Sequence, residues 1–167
     1  MRIFNTPLHN ALKILKEEKT KKIISIYSPN NSFPLFPGIK NKDILRLCFN
    51  DIDQARYNLK TISQKDIRSV LSFVQKNQDS DILIHCYAGV SRSIAISIII
   101  FFMYNRNFTP SEIYNLIKEK APFANPNKLV LRQAGSVIKE EKFFQELIKK
   151  FTNRKRIFSA MPFYLDF

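Results

Sequence analysis

The chain has 167 residues, with 27 Lys and Arg against 14 Asp and Glu, for a net charge of +13. That length fits one domain with a sizeable core, and 45% hydrophobic residues, 15 of them Phe, exclude a disordered or low-complexity protein. Two cysteines, Cys48 and Cys86, at no metal-ligand spacing exclude a disulfide scaffold or a zinc module and point to a reducing, cytoplasmic compartment.

The start of the chain lacks the apolar core of an export signal. Thr6-Pro7 has the form of an N-cap followed by proline at the first helical position, which predicts a helix from Pro7 to about Glu18. Lys22 to Ser28 reads as a strand ended by Pro29, and Asn30 to Lys42 as a loop punctuated by Pro34, Pro37 and Gly38. A second strand is predicted over Asp43 to Phe49, running into Asn50-Asp51-Ile52-Asp53. Ser63 caps a helix from about Gln64 to Lys76, with Ile67, Val70, Leu71 and Val74 on one face.

Ile82 to His85 is the third predicted strand. Ser93 to about Asn105 is apolar nearly all round, as expected of a helix packed on every side, and its apolar run is too short for a bilayer that needs about 20 residues. Pro110 to about Lys120 follows as a helix capped by Thr109, then Asn127 to about Lys139, then Phe143 to Phe151. Residues 152–167 are a tail in which Arg154-Lys155-Arg156 precedes an aromatic strip. Folding back onto the domain is favoured for it over a membrane-surface or partner-binding role. Strands alternating with helices predict a single α/β domain, residues 1–151, with a central, largely parallel sheet flanked by helices.

One stretch carries chemistry: His85-Cys86-Tyr87-Ala88-Gly89-Val90-Ser91-Arg92-Ser93, between an apolar strand and a helix. Five residues between Cys86 and Arg92 suffice to curl the backbone into a cup of inward N–H groups, at which the following helix aims its positive end. An anion is held there without any metal or cofactor. The same environment favours the thiolate of Cys86, the attacking form. Arg92 offers a bidentate fork for phosphoryl oxygens, which lysine does not reproduce. Gly89 sits where a tight loop needs positive φ or close backbone approach.

His85-Cys86-x5-Arg92-Ser93 resembles the signature loop of the cysteine-dependent protein tyrosine phosphatase superfamily, and Ala88-Gly89-Val90-Ser91-Arg92-Ser93 is most similar to its dual-specificity branch. The resemblance implies that Cys86 is the nucleophile forming a phosphocysteine. It makes residues 87–92 (Tyr87, Ala88, Gly89, Val90, Ser91 and Arg92) the phosphate-binding loop, has Ser93 assist release of sulfur, and has His85 orient the loop. Ala95 departs from the pattern, where many members of the branch carry threonine. Pro126-Asn127 resembles a Pro-Asn pair that supports the loop in this branch, though Asn-Pro-Asn is also ordinary turn punctuation.

Expelling an alkoxide or phenoxide calls for a carboxylic acid that protonates it, typically worth about 10²- to 10⁴-fold. The resembled families carry this acid on a loop some thirty-odd residues before the cysteine. Asp51 and Asp53, 35 and 33 residues before Cys86, both fit. Asp51 is preferred because Phe49-Asn50-Asp51 resembles the Phe-Asp-Asp run of small members, while the Trp-Pro-Asp triplet of tyrosine-specific enzymes is absent. Asp43 and Asp66 read as solvated or capping charges. A disulfide between Cys48 and Cys86 is weighed against a buried strand thiol, and the thiol is favoured.

The expected function is therefore a metal-independent phosphomonoesterase, a protein tyrosine or dual-specificity phosphatase acting on a phosphorylated protein or another phosphomonoester. A phosphate-binding module with little turnover and a rhodanese-like sulfurtransferase are the alternatives. The loop's variable positions carry no basic residue, which disfavours inositol lipids. The charge attracts polyanions generally, but lysine-rich solvated faces are common and nucleic acid is not the favoured partner.

Overall fold

A computed structural model describes residues 1–151 and 160–167 of the chain. The four strands that carry the site lie parallel: β1 (Arg2–Pro7), β2 (Lys22–Tyr27), β3 (Ile44–Cys48) and β4 (Ile82–Cys86). With β5 (Phe163–Asp166) they form one sheet in the order β3-β2-β4-β1-β5, in which β5 alone runs antiparallel, against β1. The helices are α1 (Leu8–Glu17), α2 (Gln64–Gln75), α3 (Arg92–Tyr104), α4 (Pro110–Lys120), α5 (Lys128–Ile138) and α6 (Glu141–Lys150). The fold class expected from the alternation of strands and helices is the one observed.

Strand periodicity divides the core into two layers. On one face Ile82, Ile84 and Cys86 of β4 pack with Ile24, Ile26 and Leu47 against α2 to α6. On the other, Phe4, Ile23 and Leu83 meet Ala11 and Leu15 of α1 and Phe36 of the loop after β2. Helix α3 lies in the middle of the larger layer, and every residue from Arg92 to Phe102 is buried. A helix apolar on all sides is stable only in that position.

Local chemistry sets most helix starts. Ser63 and Asp66 form a reciprocal capping box at α2, and Thr109 and Glu112 form another at α4 with Pro110 in its first turn. The start of the chain differs from expectation. Arg2–Pro7 is a strand, and α1 begins at Leu8 with Pro7 as an N-cap whose side chain makes no capping bond. Thr6 is buried and its hydroxyl donates to the Pro7 carbonyl instead. The reason is tertiary: Ile3 to Pro7 form a parallel ladder with Ile82 to Cys86, and Pro7 closes the strand where its missing N–H is harmless.

At the other terminus Phe163 pairs with Asn5 and Leu165 with Ile3, and both Phe163 and Leu165 are buried in the larger core layer. The basic run Arg154-Lys155-Arg156 lies outside the described residues. No helix among the described residues is long and apolar enough to cross a membrane.

Candidate active site

The carboxyl ends of β4 and β2 and the amino end of α3 converge on Cys86, which is buried at the last position of β4. Its Sγ accepts from the Gly89 N–H at 3.3 Å and lies 3.2 Å from Ser93 Oγ. Three carbonyls of the 87–91 loop are taken up by neighbouring segments: Tyr87 O accepts from Leu8 N, Val90 O from Asn125 N, and Ser91 O from Asn127 N. With those acceptors engaged, they do not compete for an anion in the loop, and the Gly89 N–H is directed at Sγ. Gly89 has φ +70°, and a Cβ there would stand 2.6 Å from Pro7 N, so the close approach of β1 requires glycine. Of the loop's other residues, Tyr87 is exposed, Ala88 and Ser91 are half-buried and Val90 is buried.

Ser91 occupies the N-cap of α3 but makes no capping bond there; its hydroxyl donates to Asp51 Oδ1 at 2.6 Å. Its side chain thus leaves the first-turn amides uncapped, the arrangement that favours an anion at a helix N-terminus. Arg92 is only 4% exposed, and its Nη1 donates to Phe49 O at 2.8 Å and Ser28 Oγ at 3.0 Å. Its Nε is buried without a hydrogen-bond partner among the described residues, with Asp51 Oδ2 at 3.7 Å. A buried cation costs several kcal/mol unless paired, and an ion pair at that distance leaves Nε free to donate to a bound anion.

Behind the sulfur runs a polar network inside an apolar layer. Ser93 Oγ donates to Asn5 Oδ1 at 3.2 Å, Asn5 Nδ2 donates to Ser97 Oγ at 3.0 Å, and Ser97 Oγ donates back to Ser93 O at 3.1 Å. All three residues are buried. The hydroxyl of Ser93 has one proton and two neighbours that compete for it, Cys86 Sγ and Asn5 Oδ1.

His85 Nε2 lies 2.7 Å from Ser25 Oγ, and its ring packs edge-on against Phe36. Burial pushes its pKa down to about 4; the Cys86 backbone opposes the shift and the Arg92 charge adds to it. In the unfolded chain a histidine binds its proton near pH 6.5, so between pH 6.5 and 4 the unfolded state holds the extra proton. Stability is therefore fully present above pH 6.5 and is expected to fall by about 3 kcal/mol as pH drops toward 4. Urea denaturation midpoints at pH 7 and 4.5 measure this, and His85→Gln should flatten the slope.

The two candidate carboxylates separate. Asp51 faces the loop: Oδ1 accepts from Ser91 Oγ and, at 2.8 Å, from Asn127 Nδ2, while Oδ2 looks toward Arg92. Asp53 faces α5, where Oδ1 accepts from Lys128 N at 2.9 Å and Oδ2 is 3.9 Å from Lys128 Nζ. Asp43 pairs with Lys22 and Asp66 caps α2, as expected for charges away from the site.

Four residues at the site were not among the site candidates, or carried little weight there. Asn127 joins three parts: its Nδ2 holds Asp51 and Ile52 O, its N–H holds Ser91 O, and its Oδ1 caps α5 at Val130 N. Asn5, Ser25 and Ser28 were not singled out at all. Each is a common polar residue in or after a strand, and only the folded neighbours mark it. Cys48 stands at the end of β3, with β2 between it and β4. Two inter-strand spacings of about 4.8 Å put it near 10 Å from Cys86 laterally, beyond the roughly 7 Å reach of a disulfide. It is half-buried and bonds to Tyr27, whose pKa is raised by burial and by Cys48.

Residues 3–136 match the family model described as dual specificity phosphatase, catalytic domain. The chain is similar to the dual specificity protein phosphatase YVH1 of Plasmodium falciparum, 44% identical over 63 residues, covering 37% of this chain and 10% of that protein. It is also similar to the tyrosine-protein phosphatase pmp1 of Schizosaccharomyces pombe, 30% identical over 88 residues, covering 51% of this chain and 29% of the relative. The matched region thus spans less than a third of either relative. Among solved structures, a human tyrosine phosphatase-like serine/threonine/tyrosine-interacting protein superposes with TM-score 0.64 at 21% identity, over 82% of this chain and 91% of that one. DUSP15 superposes with TM-score 0.63 at 23% identity, over 89% and 92%. These two likenesses concern the fold.

Proposed function

The chain belongs to the dual specificity phosphatase family, and from that premise we propose that it hydrolyses phosphomonoesters of proteins through a phosphocysteine on Cys86. The observation that carries this reading is the buried Arg92 guanidinium six residues after Cys86, held by Phe49 O and Ser28, with Nε lacking a hydrogen-bond partner among the described residues. Such a cation is complementary to a phosphoryl group in the cup.

In the first step Cys86 Sγ, as thiolate, attacks phosphorus, the S–P bond forms and the P–O bond to the leaving group breaks. Asp51 protonates the departing oxygen. Arg92 and the loop N–H groups hold the equatorial oxygens as charge spreads over them. In the second step water attacks phosphorus, Asp51 takes its proton, the S–P bond breaks and sulfur leaves as thiolate. Ser93 Oγ–H turned toward Sγ stabilises that thiolate.

A phosphotyrosine peptide tests the reading. Hydrolysis should proceed in the presence of a chelator, be inhibited by orthovanadate, and leave a phosphoryl label on the Cys86 peptide after rapid denaturation. Vanadate binding without turnover would favour the phosphate-binding module, and sulfur transfer from thiosulfate to cyanide the sulfurtransferase.

Asn5 positions Ser93 in this scheme. Removing its amide in Asn5→Ala leaves Ser93 and Ser97 short of a partner and frees the Ser93 hydroxyl to rotate. The second step should slow by about tenfold, the worth of one hydrogen bond. Rapid-quench kinetics should then show a burst and accumulated phosphoenzyme, a readout that mere destabilisation does not produce.

A further inference from the structure

Away from Cys86, α2 and the edge strand β3 enclose an open groove of about 580 Å³. Lys42, Lys65, Arg68 and Lys76 line it, all exposed, and none forms an ion pair among the described residues. Lys22 is different, since Asp43 neutralises it at 2.6 Å. Between the cations the lining mixes Leu45 and Phe73, half-buried against the core, with the polar side chains of Ser69, Ser72 and Asn77.

The α2 positions follow helical spacing, so the basic stripe from Lys65 to Lys76 runs about 17 Å at 1.5 Å per residue. An extended peptide covers that length with about five residues. Beside the stripe, the outer edge of β3 pairs with no strand among the described residues. A sheet edge with unpaired backbone groups receives an extended segment by strand addition.

We propose that this groove docks an acidic, extended segment of the phosphorylated protein substrate, remote from the phosphorylated residue itself. The proposal rests on the phosphatase reading above and adds the kind of protein it acts on. Uncompensated cations converging on a concave surface are complementary to carboxylates. RNA fits less well, because single-stranded bases stack on open aromatic faces and Phe73 is half-buried. A membrane fits less well too, since an interfacial segment buries an outward apolar face and here the apolar residues lie recessed between the cations.

Lys22 and Asp43 stand at the amino ends of β2 and β3, whereas Cys86 closes β4. One strand length, about 17 Å for five residues, therefore separates the far end of the groove from the sulfur. The docking segment lies correspondingly away from the phosphorylated residue in the substrate chain.

The test measures fluorescence anisotropy of two peptides at about 0.15 M salt, one with a run of about five glutamates and the other with glutamines in their place. The glutamate peptide should bind at least about tenfold more tightly. That difference should disappear in Lys65→Glu/Arg68→Glu/Lys76→Glu and shrink in the corresponding alanine variant, which guards against misfolding. Equal binding of the two peptides, or an unchanged preference in both variants, overturns the proposal. So does tighter binding of single-stranded RNA or of phosphatidylserine vesicles than of the glutamate peptide. In the kinetic arm, a phosphopeptide bearing the glutamate run should show a lower KM than its glutamine twin, while 4-nitrophenyl phosphate is hydrolysed equally by wild type and variants. Absence of hydrolysis of any phosphate ester would sink the phosphatase reading alone, because the binding arm needs no turnover.

Discussion

Cys86→Ser is expected to lower kcat by at least about 10⁴-fold on every phosphate ester, with substrate binding retained. A serine hydroxyl fits the same space, so the Gly89 N–H, Ser93 and the buried Arg92 keep their places. What is lost is the sulfur nucleophile, because a serine hydroxyl is a far weaker nucleophile than a cysteine sulfur. Calorimetric titration with a phosphotyrosine peptide should therefore give a Kd close to the wild-type value beside turnover that is undetectable. Residual activity within tenfold of wild type would mean that water attacks phosphorus directly, and the phosphocysteine mechanism would be wrong.

Asp51→Asn carries the next largest expected effect, and its control is Asp53→Asn. With phosphotyrosine as substrate, loss of the acid should cost about 10² to 10⁴ in kcat/KM. An activated aryl phosphate, whose phenoxide leaves without a proton, should lose less than about tenfold. Asp53→Asn should leave both activities within about threefold, because Asp53 is occupied by the Lys128 N–H and ammonium at the start of α5. Its cost appears instead as about 0.3–1 kcal/mol of stability, the usual worth of a negative charge at a helix start, because the asparagine oxygen still accepts from Lys128 N. Uniform loss across leaving groups in Asp51→Asn would assign Asp51 to holding Ser91 and Asn127 rather than to proton transfer.

Asp51 sits on a loop with a pinned base. Asn50 N donates to Lys60 O, and Lys60 N donates to Asn50 Oδ1, both at 2.8 Å. Asn127 then ties Asp51 and Ile52 to the start of α5, and the same residue ties Ser91 of the signature loop to that element. The Asp51 carboxylate is thereby held in register with a loop on another strand, the kind of fixed placement that a general acid requires.

The signature loop, the buried helix behind it and the capped helices were legible along the chain because their determinants are local. Cys86 to Arg92 spans one loop, the apolar run of α3 is continuous, and Ser63 with Asp66 or Thr109 with Glu112 satisfy amides within one turn. Strand β1 was not legible, since Ile3 and Phe4 are too short an apolar signal, and only the ladder to β4 some eighty residues on makes them a strand. Periodicity does not separate the two carboxylates for a related reason: in an extended segment Asp51 and Asp53 point to the same side, so the preference for Asp51 rests on the resemblance of Phe49-Asn50-Asp51 alone, and their division between loop and helix depends on where α5 packs. Asn5 is the plainest case, an unremarkable polar residue whose partners Ser93 and Ser97 lie 88 and 92 positions away. Sequence alone thus determined where the cysteine and the arginine of the signature loop stand, because a five-residue turn between strand and helix encodes both. Tertiary packing decided which carboxylate reaches them and what orients the serine, because those contacts are made by chain segments that meet only when the sheet closes.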